Sequence, residues 1–373
     1  MDSQIRIPLD WPNIGELEKR YVLEALDSGF VSSAGPLVAE FERRFSRYVG
    51  AKHAVATVNG TAGLHLALRL LGIGPGDEVI VPALTFIATV NPVIYAGATP
   101  VVVDVDPRTW NIDPRAVERA ITPRTRAIIP VHLYGNPADM VALREIAQGH
   151  GIHLIEDATE ALGSTIGDRH VGTFGEMGIF SFNGNKVITT GGGGMLVTND
   201  AALAERARLL VNQGRAAGSL EYEHQEIGYN YRLTNLQAAL GLAQLERLPA
   251  FLDTKRHNAA LYRELLRDVP GLAWQEEQRE AKSNWWLFSI LLDEKEYGEG
   301  RRSLMERLLS RGIQVRPLFL PLHRQPCYRG YTFDRCPVAE ELHGRGINLP
   351  SASFLTTRDV REVCDALKDW RRR

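Results

Sequence analysis

The sequence contains no run of about 20 consecutive apolar residues, the length that a helix needs to cross a lipid bilayer. Its N-terminal segment, Met1 to Pro8, also lacks the apolar core of a secretory signal. These two absences predict a protein that works in the cytoplasm and has no membrane partner.

Cysteine is scarce in this chain. Only three of the 373 residues are cysteines, namely Cys327, Cys336 and Cys364. They show neither Cys-x-x-Cys spacing nor a nearby pair of histidines, so the sequence predicts neither a disulfide framework nor a zinc site. We expect three free thiols and no bound metal.

Basic residues are not concentrated in any one part of the sequence. The 43 lysines and arginines nearly balance the 45 aspartates and glutamates, and the net charge is −2. The densest basic run is 371–373, which we interpret as a solvated tail. Because nucleic-acid binding surfaces combine clustered basic residues with aromatic ones, no nucleic-acid partner is expected.

Between about residues 50 and 200, short apolar runs alternate with amphipathic stretches, as they do in chains of βαβ units. The predicted strands are Asp77–Val81, Thr99–Asp104, Arg126–Val131, His153–Glu156, Gly178–Phe182 and Gly194–Thr198. The predicted helices are Thr61–Leu71, Phe86–Tyr95, Pro114–Ile121, Ala138–Gly151 and Ala201–Gln213. Because the strands are almost entirely apolar, the sequence predicts an α/β fold with a mainly parallel mixed sheet sandwiched by helices.

The pattern changes near Pro249, where one predicted helix, Thr234–Leu248, ends. The segments predicted beyond it are the helices Phe251–Arg267, Arg301–Arg311 and Thr357–Trp370 and the strands Trp285–Leu292 and Gln314–Pro317. This order predicts a large domain over residues 1–249, with an N-terminal arm over 1–35, and a smaller α+β domain over 250–373.

The stretch from Ile155 to Met195 carries the residues that most suggest chemistry. Asp157 follows a predicted strand, at the sheet edge where open α/β sheets bind ligands. Lys186 lies beyond the next strand and has two interpretations, an ordinary surface cation or a desolvated amine that can form an imine. The glycine run at 191–194 lacks the Lys-Ser/Thr of a phosphate-binding loop, and we expect it to let the backbone pass close to a ligand.

Seven segments in a fixed order carry a family resemblance. They are NGTAGLHLAL (59–68), PALTFIATVN (82–91), PVHLYG (130–135), EDATEALG (156–163), SFNGNK (181–186), GYNYRLTNLQAA (228–239) and PLHRQPCY (321–328). Together they make nearly the whole chain similar to the DegT/StrS-type sugar aminotransferases, which are fold-type I enzymes that use pyridoxal 5′-phosphate (PLP). The resemblance therefore implies this fold and this cofactor.

The resemblance assigns two catalytic residues. Lys186 matches the lysine that links covalently to the cofactor and afterwards moves a proton, which an arginine could not do because it stays protonated. Asp157 matches the carboxylate that faces the pyridine nitrogen and keeps it protonated. The alternative interpretation of Asp157 is a helix N-cap after a strand.

The family also supplies the expected cofactor contacts. Gly60, Thr61 and Ala62 open a helix whose free N–H groups suit the cofactor phosphate, and Ser181 matches a second phosphate contact. Thr61 alone would also fit an ordinary helix cap. Phe86 matches the aromatic residue that stacks on the cofactor ring, against the alternative of core packing.

Two further positions carry less direct expectations. Glu160 departs from the family pattern, because many members have a glutamine there to bind the phenolic oxygen of the cofactor. A carboxylate at Glu160 has to be protonated or turned aside to avoid facing that anionic oxygen. Asn230 matches a residue that reaches the phosphate from the neighbouring subunit, which implies a homodimer with shared active sites; the alternative is a turn asparagine.

Three residues are candidates for contact with the substrate. Arg232 has the planar fork that suits a carboxylate or a phosphate. His323 matches a position near the sugar nucleotide in relatives, and Arg316 is close to it in sequence. A single histidine also commonly has a structural role, and that alternative stays open for His323.

The finer resemblance, carried by GFVSSAG (29–35) and the segments around Asp157 and Lys186, is to the nucleotide-sugar 4-aminotransferases of the legionaminic-acid and perosamine branch. It predicts transfer of an amino group from L-glutamate to C4 of a UDP- or GDP-linked 4-keto-6-deoxy sugar, for surface-polysaccharide or glycan biosynthesis. The alternatives are a nucleotide-sugar dehydratase or a 3-keto-sugar aminotransferase of the same fold, and a scaffold without catalytic activity. Lys186 argues against the dehydratase, since such relatives commonly replace this lysine with histidine.

Overall fold

The computed structural model describes residues 5–215 and 221–369. The basic run 371–373, the first four residues of the predicted N-terminal arm and the final residue of the predicted helix Thr357–Trp370 lie outside the described residues.

The described residues form three β-sheets. Their strands are β1 His53–Thr57, β2 Glu78–Pro82, β3 Thr99–Val103, β4 Thr125–Ile128, β5 His153–Asp157, β6 Thr165–Ile166, β7 Arg169–His170, β8 Met177–Ser181, β9 Gly194–Thr198, β10 Leu272–Trp274, β11 Ala281–Lys282, β12 Phe288–Leu292, β13 Arg316–Pro317 and β14 Gly346–Leu349. The largest sheet has seven strands in the order β1-β9-β8-β5-β4-β2-β3. The other two have the orders β10-β12-β14-β13 and β11-β6-β7.

The seven-stranded sheet is mixed but mainly parallel. Neighbouring strands pair in parallel from β3 through β2, β4 and β5 to β8, and β9 runs antiparallel to both of its neighbours, β8 and β1. All residues of β2 and β9 are buried, as expected for strands covered on both faces.

Helices cover both faces of this sheet. The α-helices of the described residues, in chain order, are α1 Glu16–Asp27, α2 Leu37–Val49, α3 Gly60–Leu70, α4 Asn91–Tyr95, α5 Pro114–Ala120, α6 Met140–His150, α7 Ala201–Val211, α8 Asn235–Leu266, α9 Glu294–Tyr297, α10 Arg301–Ser310, α11 Pro337–Arg345 and α12 Thr357–Lys368. Within β2, Val79 and Val81 join the hydrophobic cluster that includes α3, whereas Ile80 joins the cluster that includes α5 and α6. The α/β fold predicted from the sequence, with helices around a mainly parallel sheet, is confirmed.

The two helices predicted on either side of Pro249 are one helix. α8 has 32 residues and passes through Pro249 without ending. Its first turn is stabilised by Thr234, whose hydroxyl accepts the N–H of Gln237 while the Gln237 side chain accepts the N–H of Thr234. The prediction of a helix boundary at Pro249 is therefore wrong, because packing along α8 compensates for the hydrogen bond that proline cannot make. The division into domains at this point stays a prediction.

The N-terminal segment connects distant parts of the fold. α1 packs against α8, and Ile7 pairs with Ile313, which belongs to the C-terminal hydrophobic cluster. The Leu9 carbonyl accepts the N–H of Ser351 at 2.7 Å. The carboxylate of Asp10 binds the ammonium of Lys255 at 2.9 Å, and both side chains are buried. Among the described residues, no helix is long and apolar enough to cross a membrane.

Candidate active site

A cavity of about 300 Å³ lies at the carboxyl ends of the parallel strands. Residues that directly follow β1, β2 and β5 line it, and so does Ser181 at the end of β8. β9 runs in the opposite direction, so its amino end lies at this same edge and brings Gly192 and Gly193 to the cavity wall, as expected for the glycine run. Parallel strands thus collect side chains that are far apart in sequence.

Lys186 lines this cavity, and its side chain is only 13% exposed. Its Nζ atom is 3.7 Å from Oε1 of Glu160 and 3.8 Å from the ring centroid of Trp286. Burial lowers the pKa of the Lys186 amine, and the nearby carboxyl groups of Glu160 and Asp157 partly offset this effect. The structure therefore favours the desolvated amine over the surface cation.

Asp157 is the last residue of β5 and is buried. Its Oδ2 accepts the hydroxyl of Thr89 at 2.8 Å. Its Oδ1 accepts the hydroxyl of Thr159 at 2.7 Å and the Thr159 N–H at 3.2 Å. The carboxylate thus stabilises the turn that follows β5 and also lines the cavity. Among the described residues, no helix begins at this turn, so the helix N-cap interpretation of Asp157 is not supported. Three donors hold it in one orientation.

The start of α3 forms another wall. The amides of Gly60 and Thr61 have no partner within the helix because they belong to its first turn, and both residues line the cavity together with Ser181. A Cβ atom at Gly60 would lie 2.9 Å from Cγ2 of Thr159, so only glycine fits at this close approach. Free amides at a helix N-terminus bind anions, and a phosphate is therefore the expected ligand here.

Phe86 is 55% exposed and borders the cavity, with its ring centroid 5.7 Å from that of Phe319. A side chain this exposed does not belong to the hydrophobic core, so the core-packing alternative for Phe86 is not supported. Its position fits a residue that covers a planar ligand.

Glu160 is buried beside Lys186, and its two carboxyl oxygens have different partners. Oε2 accepts the backbone N–H of Tyr134 at 2.7 Å, and Oε1 is the atom that lies near Lys186. Burial raises the pKa of Glu160 to about 7, although the charge of Lys186 opposes this shift.

Trp286 is a cavity residue that the sequence did not reveal. Its indole N–H donates to the carbonyl of Asn185 at 2.6 Å, its backbone N–H donates to Oδ1 of Asn284 at 2.8 Å, and its carbonyl accepts from Lys255 at 3.2 Å. The sequence placed Trp286 inside the predicted strand Trp285–Leu292, but the strand starts at Phe288. The left-handed backbone of Trp285, with φ 51°, turns the chain towards the cavity. No local sequence pattern predicted this turn.

Three threonines were also missed as individual site residues. Thr85, Thr89 and Thr159 line the cavity. All three fall within segments that carried the family resemblance, so the signal was present in the sequence. Their hydroxyls connect to Asp157 directly or, for Thr85, through Thr89 at 2.9 Å.

Ala62, Asn230 and Arg232 do not line this cavity. The Ala62 N–H donates to the Asn59 side chain at 2.8 Å, so it is not free for a ligand. Asn230 is exposed, and Arg232 is half-buried with an Nε atom that has no partner in the described part of the chain. The binding roles expected for these residues stay predictions.

Arg316 and His323 also lie outside the cavity lining. Arg316 is an exposed residue of β13. Nε2 of His323 contacts Oε1 of Glu340 at 2.9 Å, and the Glu340 carboxylate also binds Arg335. This contact fits a structural role for His323, and its expected contact with substrate stays a prediction.

The residues of the cavity fit pyridoxal phosphate. This cofactor needs an amine for its aldehyde, a carboxylate for its ring nitrogen, donors for its phosphate and an aromatic residue against its ring. Lys186, Asp157, the start of α3 and Phe86 provide these groups around a single space. At Gly60 a side chain would collide with Thr159, so glycine lets the start of α3 lie close to the turn that follows Asp157.

Comparison with known proteins agrees with this geometry. The DegT/DnrJ/EryC1/StrS aminotransferase family matches residues 12–368. GDP-perosamine synthase of Caulobacter vibrioides is 44% identical over 372 residues, which cover 98% of this chain and 99% of that protein. GDP-perosamine synthase of Escherichia coli O157:H7 is 43% identical over 364 residues and covers 98% of each chain.

Solved structures are similar over the same length. The aminotransferase TlmJ from Streptoalloteichus hindustanus superposes with a TM-score of 0.92 at 33% identity, covering 97% of this chain and 98% of its own. DesI, crystallised in the presence of its TDP-sugar product, gives a TM-score of 0.90 at 37% identity, covering 98% of this chain and 93% of its own.

These findings confirm the resemblance, the fold class, the aminotransferase activity and the PLP cofactor predicted from the sequence. The family match spans the cavity residues on both sides of α8, and it includes Lys186 and Trp286. The chain belongs to the DegT/DnrJ/EryC1/StrS aminotransferase family.

Proposed function

We propose that this protein transfers an amino group from L-glutamate to C4 of GDP-4-keto-6-deoxymannose. The observation that carries the proposal is the buried amine of Lys186, which lies in one cavity with Asp157 and the open start of α3. The curated relatives with 40–44% identity that bear the name GDP-perosamine synthase support GDP as the nucleotide over UDP.

When bound, PLP supplies an aldehyde and a ring that accepts electrons from the substrate carbon. Lys186 can react with this aldehyde because burial favours its uncharged form. Once released, the same amine lies inside the cavity and can carry a proton between neighbouring atoms. The face of Trp286 limits where this amine can go.

Asp157 has the complementary task of holding a positive charge at the ring nitrogen. Its hydrogen bonds to Thr89 and Thr159 fix the carboxylate, so it needs no reorganisation when the ligand binds. We assign the phosphate to the amides of Gly60 and Thr61 and to Ser181, whose positions at the cavity wall support this role.

We also propose that the working unit is a homodimer in which Asn230 completes the site of the partner subunit. Asn230 is exposed and lies outside the cavity of its own chain. Exposed apolar side chains support a subunit interface; they include Phe30, Val31, Tyr95, Tyr222 and Ile227. The cytoplasmic location stays a prediction from the sequence.

A dehydratase of the same fold is the main alternative. One solved structure with 28% identity and a TM-score of 0.91 is a GDP-4-keto-6-deoxymannose-3-dehydratase. Lys186 favours the aminotransferase, because a dehydratase has no need for an amine that exchanges with the cofactor.

The test starts with the purified protein and PLP. Borohydride should fix the cofactor at Lys186, glutamate should bleach the yellow colour, and the aminated enzyme should then convert GDP-4-keto-6-deoxymannose to its 4-amino product. Lys186→Ala should abolish all three results, whereas the exposed lysine variant Lys282→Ala should retain them. The substrate assignment is wrong if borohydride fixes the cofactor at Lys186 but the amino group is transferred to neither GDP- nor UDP-linked 4-keto sugars.

A further inference from the structure

The carboxyl group of Glu160 lies beside the reactive amine, yet the roles proposed above do not use it. Its Oε1 atom is 3.7 Å from Nζ of Lys186, which is ion-pair distance. A charge-assisted hydrogen bond is about 2.7–2.9 Å long, and rotation of the flexible lysine stem can close the difference. Glu160 is therefore a close proton acceptor for this amine.

The backbone around Glu160 holds the carboxyl in this orientation. Tyr134 adopts a left-handed backbone with φ 55°, which is uncommon for an aromatic residue, and its N–H thereby donates to Oε2. The side-chain amide of Asn284 donates to the Glu160 carbonyl at 2.9 Å. A Cβ atom at Gly135 would lie 1.8 Å from Oδ1 of Asn284, so this arrangement requires glycine. With Oε2 occupied, Oε1 remains for Lys186.

Burial and the nearby charges act on the pair in opposite directions. Burial raises the pKa of Glu160 to about 7 and lowers the pKa of Lys186, so it favours the neutral form of both groups. The attraction between the two opposes this effect and favours the ion pair. Asp157 at the end of β5 and Asp10, which is bonded to Lys255 of α8, also act on Lys186 and stabilise its charge. The position of the proton therefore depends on the environment of both groups.

We propose that Glu160 and Lys186 share one proton, and that Glu160 takes it whenever Lys186 must react as a free amine. In this step an N–H bond of the ammonium breaks and an O–H bond forms at Oε1, which leaves a neutral amine and a carboxylic acid. A glutamine at this position could not accept the proton, so the departure from the family pattern has a chemical consequence.

The inference rests on the cofactor chemistry of the proposed function but not on the sugar. PLP is added to the apoprotein, and infrared difference spectra are recorded in H₂O and in D₂O. The wild type should gain the C=O band of a protonated carboxyl, shifted in D₂O, as Lys186 gives up its proton. Glu160→Gln and Lys186→Ala should lack this gain. The proposal is overturned if the wild type shows no such band while PLP becomes attached to Lys186.

A second measurement follows Lys186 without the cofactor. The rate at which a small amine-specific reagent modifies Lys186 in the apoprotein is measured against pH by mass spectrometry of the peptide. Removal of the carboxylate charge in Glu160→Gln should lower the midpoint by about one pH unit or more, because only the uncharged amine reacts. Glu160→Asp retains the negative charge, so its midpoint should stay near that of the wild type.

Glu42→Gln is the matched control. Glu42 is also a mostly buried carboxylate that accepts a backbone N–H, from Ala56 at 2.8 Å, and lies at ion-pair distance from a cation, Arg208 at 3.4 Å. It lies outside the cavity, so its variant should leave the midpoint unchanged.

Equal midpoints for the wild type and Glu160→Gln would overturn the proposal. If Glu160→Gln fails to fold, comparison of the infrared difference spectra of the wild type and Lys186→Ala still tests the proposal. A protein that passes these tests but aminates no sugar would contradict only the substrate assignment.

Discussion

Trp286 shows how a single residue can position the reactive amine. Its indole faces Lys186, and the indole N–H donates a hydrogen bond to the carbonyl of Asn185, the residue before Lys186. When the Lys186 amine takes up a proton, the resulting ammonium over a desolvated indole gains about 2 kcal/mol, which corresponds to roughly 30-fold in rate if that contact is needed in the transition state. Trp286 is thus a positioning residue for Lys186.

Replacing this indole should mainly affect turnover. We expect Trp286→Leu to lower kcat by roughly 10- to 100-fold and to leave the KM for the sugar nucleotide within about 3-fold. Trp286→Phe keeps a ring face and should recover part of the loss. Steady-state kinetics measure both effects, with Trp274→Leu in β10, outside the cavity, as the control. A change in KM alone would contradict the positioning role.

His170 makes stability depend on pH. Its Nε2 atom accepts the Gly163 N–H at 2.7 Å and its Nδ1 contacts the Val171 carbonyl at 2.5 Å, so the neutral ring uses both nitrogens. Burial lowers the pKa of His170 from 6.5 to about 4. Between these two values the unfolded chain binds more protons than the folded one. The stability present above pH 6.5 is therefore lost as the pH falls towards 4.

We expect this loss to reach up to roughly 3 kcal/mol and to be smaller in His170→Gln. Urea unfolding at pH 7, 6 and 5 measures it. The difference between the two proteins isolates His170, because all other titrating groups are shared. Identical pH slopes for the wild type and the variant would show that His170 does not titrate in this way.

The sequence singled out four residues that the structure brings to one cavity, mainly through the family resemblance, and their roles towards the cofactor stay predictions. Thr61, Asp157, Ser181 and Lys186 are spread over more than a hundred positions, but each follows or ends a strand of one sheet edge. The predicted strands placed Asp157 and Lys186 near this edge, whereas β1, which precedes Thr61, was not among them. Trp286 could not be found in this way, because its place depends on the unusual backbone of Trp285 and on contacts across the fold.

Among the elements, α8 departs most from its sequence pattern. Pro249 removes one hydrogen bond and crowds the preceding turn, which predicts a break. The helix nevertheless continues, because it packs against α1, α2 and α12. Local rules cannot weigh such long-range contacts, and for this reason the predicted boundary was wrong.

Pro249→Ala should therefore stabilise the protein. It restores an N–H that can bond to the carbonyl of Leu245, and we expect the free energy of unfolding to rise by about 1–3 kcal/mol. Chemical denaturation measures this change. Pro337→Ala is the control, since Pro337 occupies the first turn of α11, where proline costs little and the change should stay within about 0.5 kcal/mol. A destabilised Pro249→Ala would mean that the helix needs its proline geometry.

At the scale of the whole molecule, the proposed dimer predicts complementation between two inactive variants. Lys186→Ala and Asn230→Asp are each expected to be inactive or strongly impaired. In a mixed dimer, one site has the intact Lys186 of its own subunit and the intact Asn230 of the other. Random re-association of equal amounts should restore roughly a quarter of the sites.

Activity after co-unfolding and refolding of the two variants measures this recovery. Refolding each variant alone is the control and should give no gain. The absence of any recovery, with mixed dimers present by native mass spectrometry, would place Asn230 in the site of its own chain or outside the site.

The ion pair between Asp10 and Lys255 gives the N-terminal segment an importance that its length does not suggest. Shortening the protein beyond Asp10 would leave the Lys255 ammonium buried without its counter-ion, at a cost of roughly 3–5 kcal/mol. The same ammonium binds the Trp286 carbonyl, so the damage would extend to the residue that faces Lys186. In protein engineering, a fusion partner should therefore be attached before residue 1 and should not replace the residues up to Asp10.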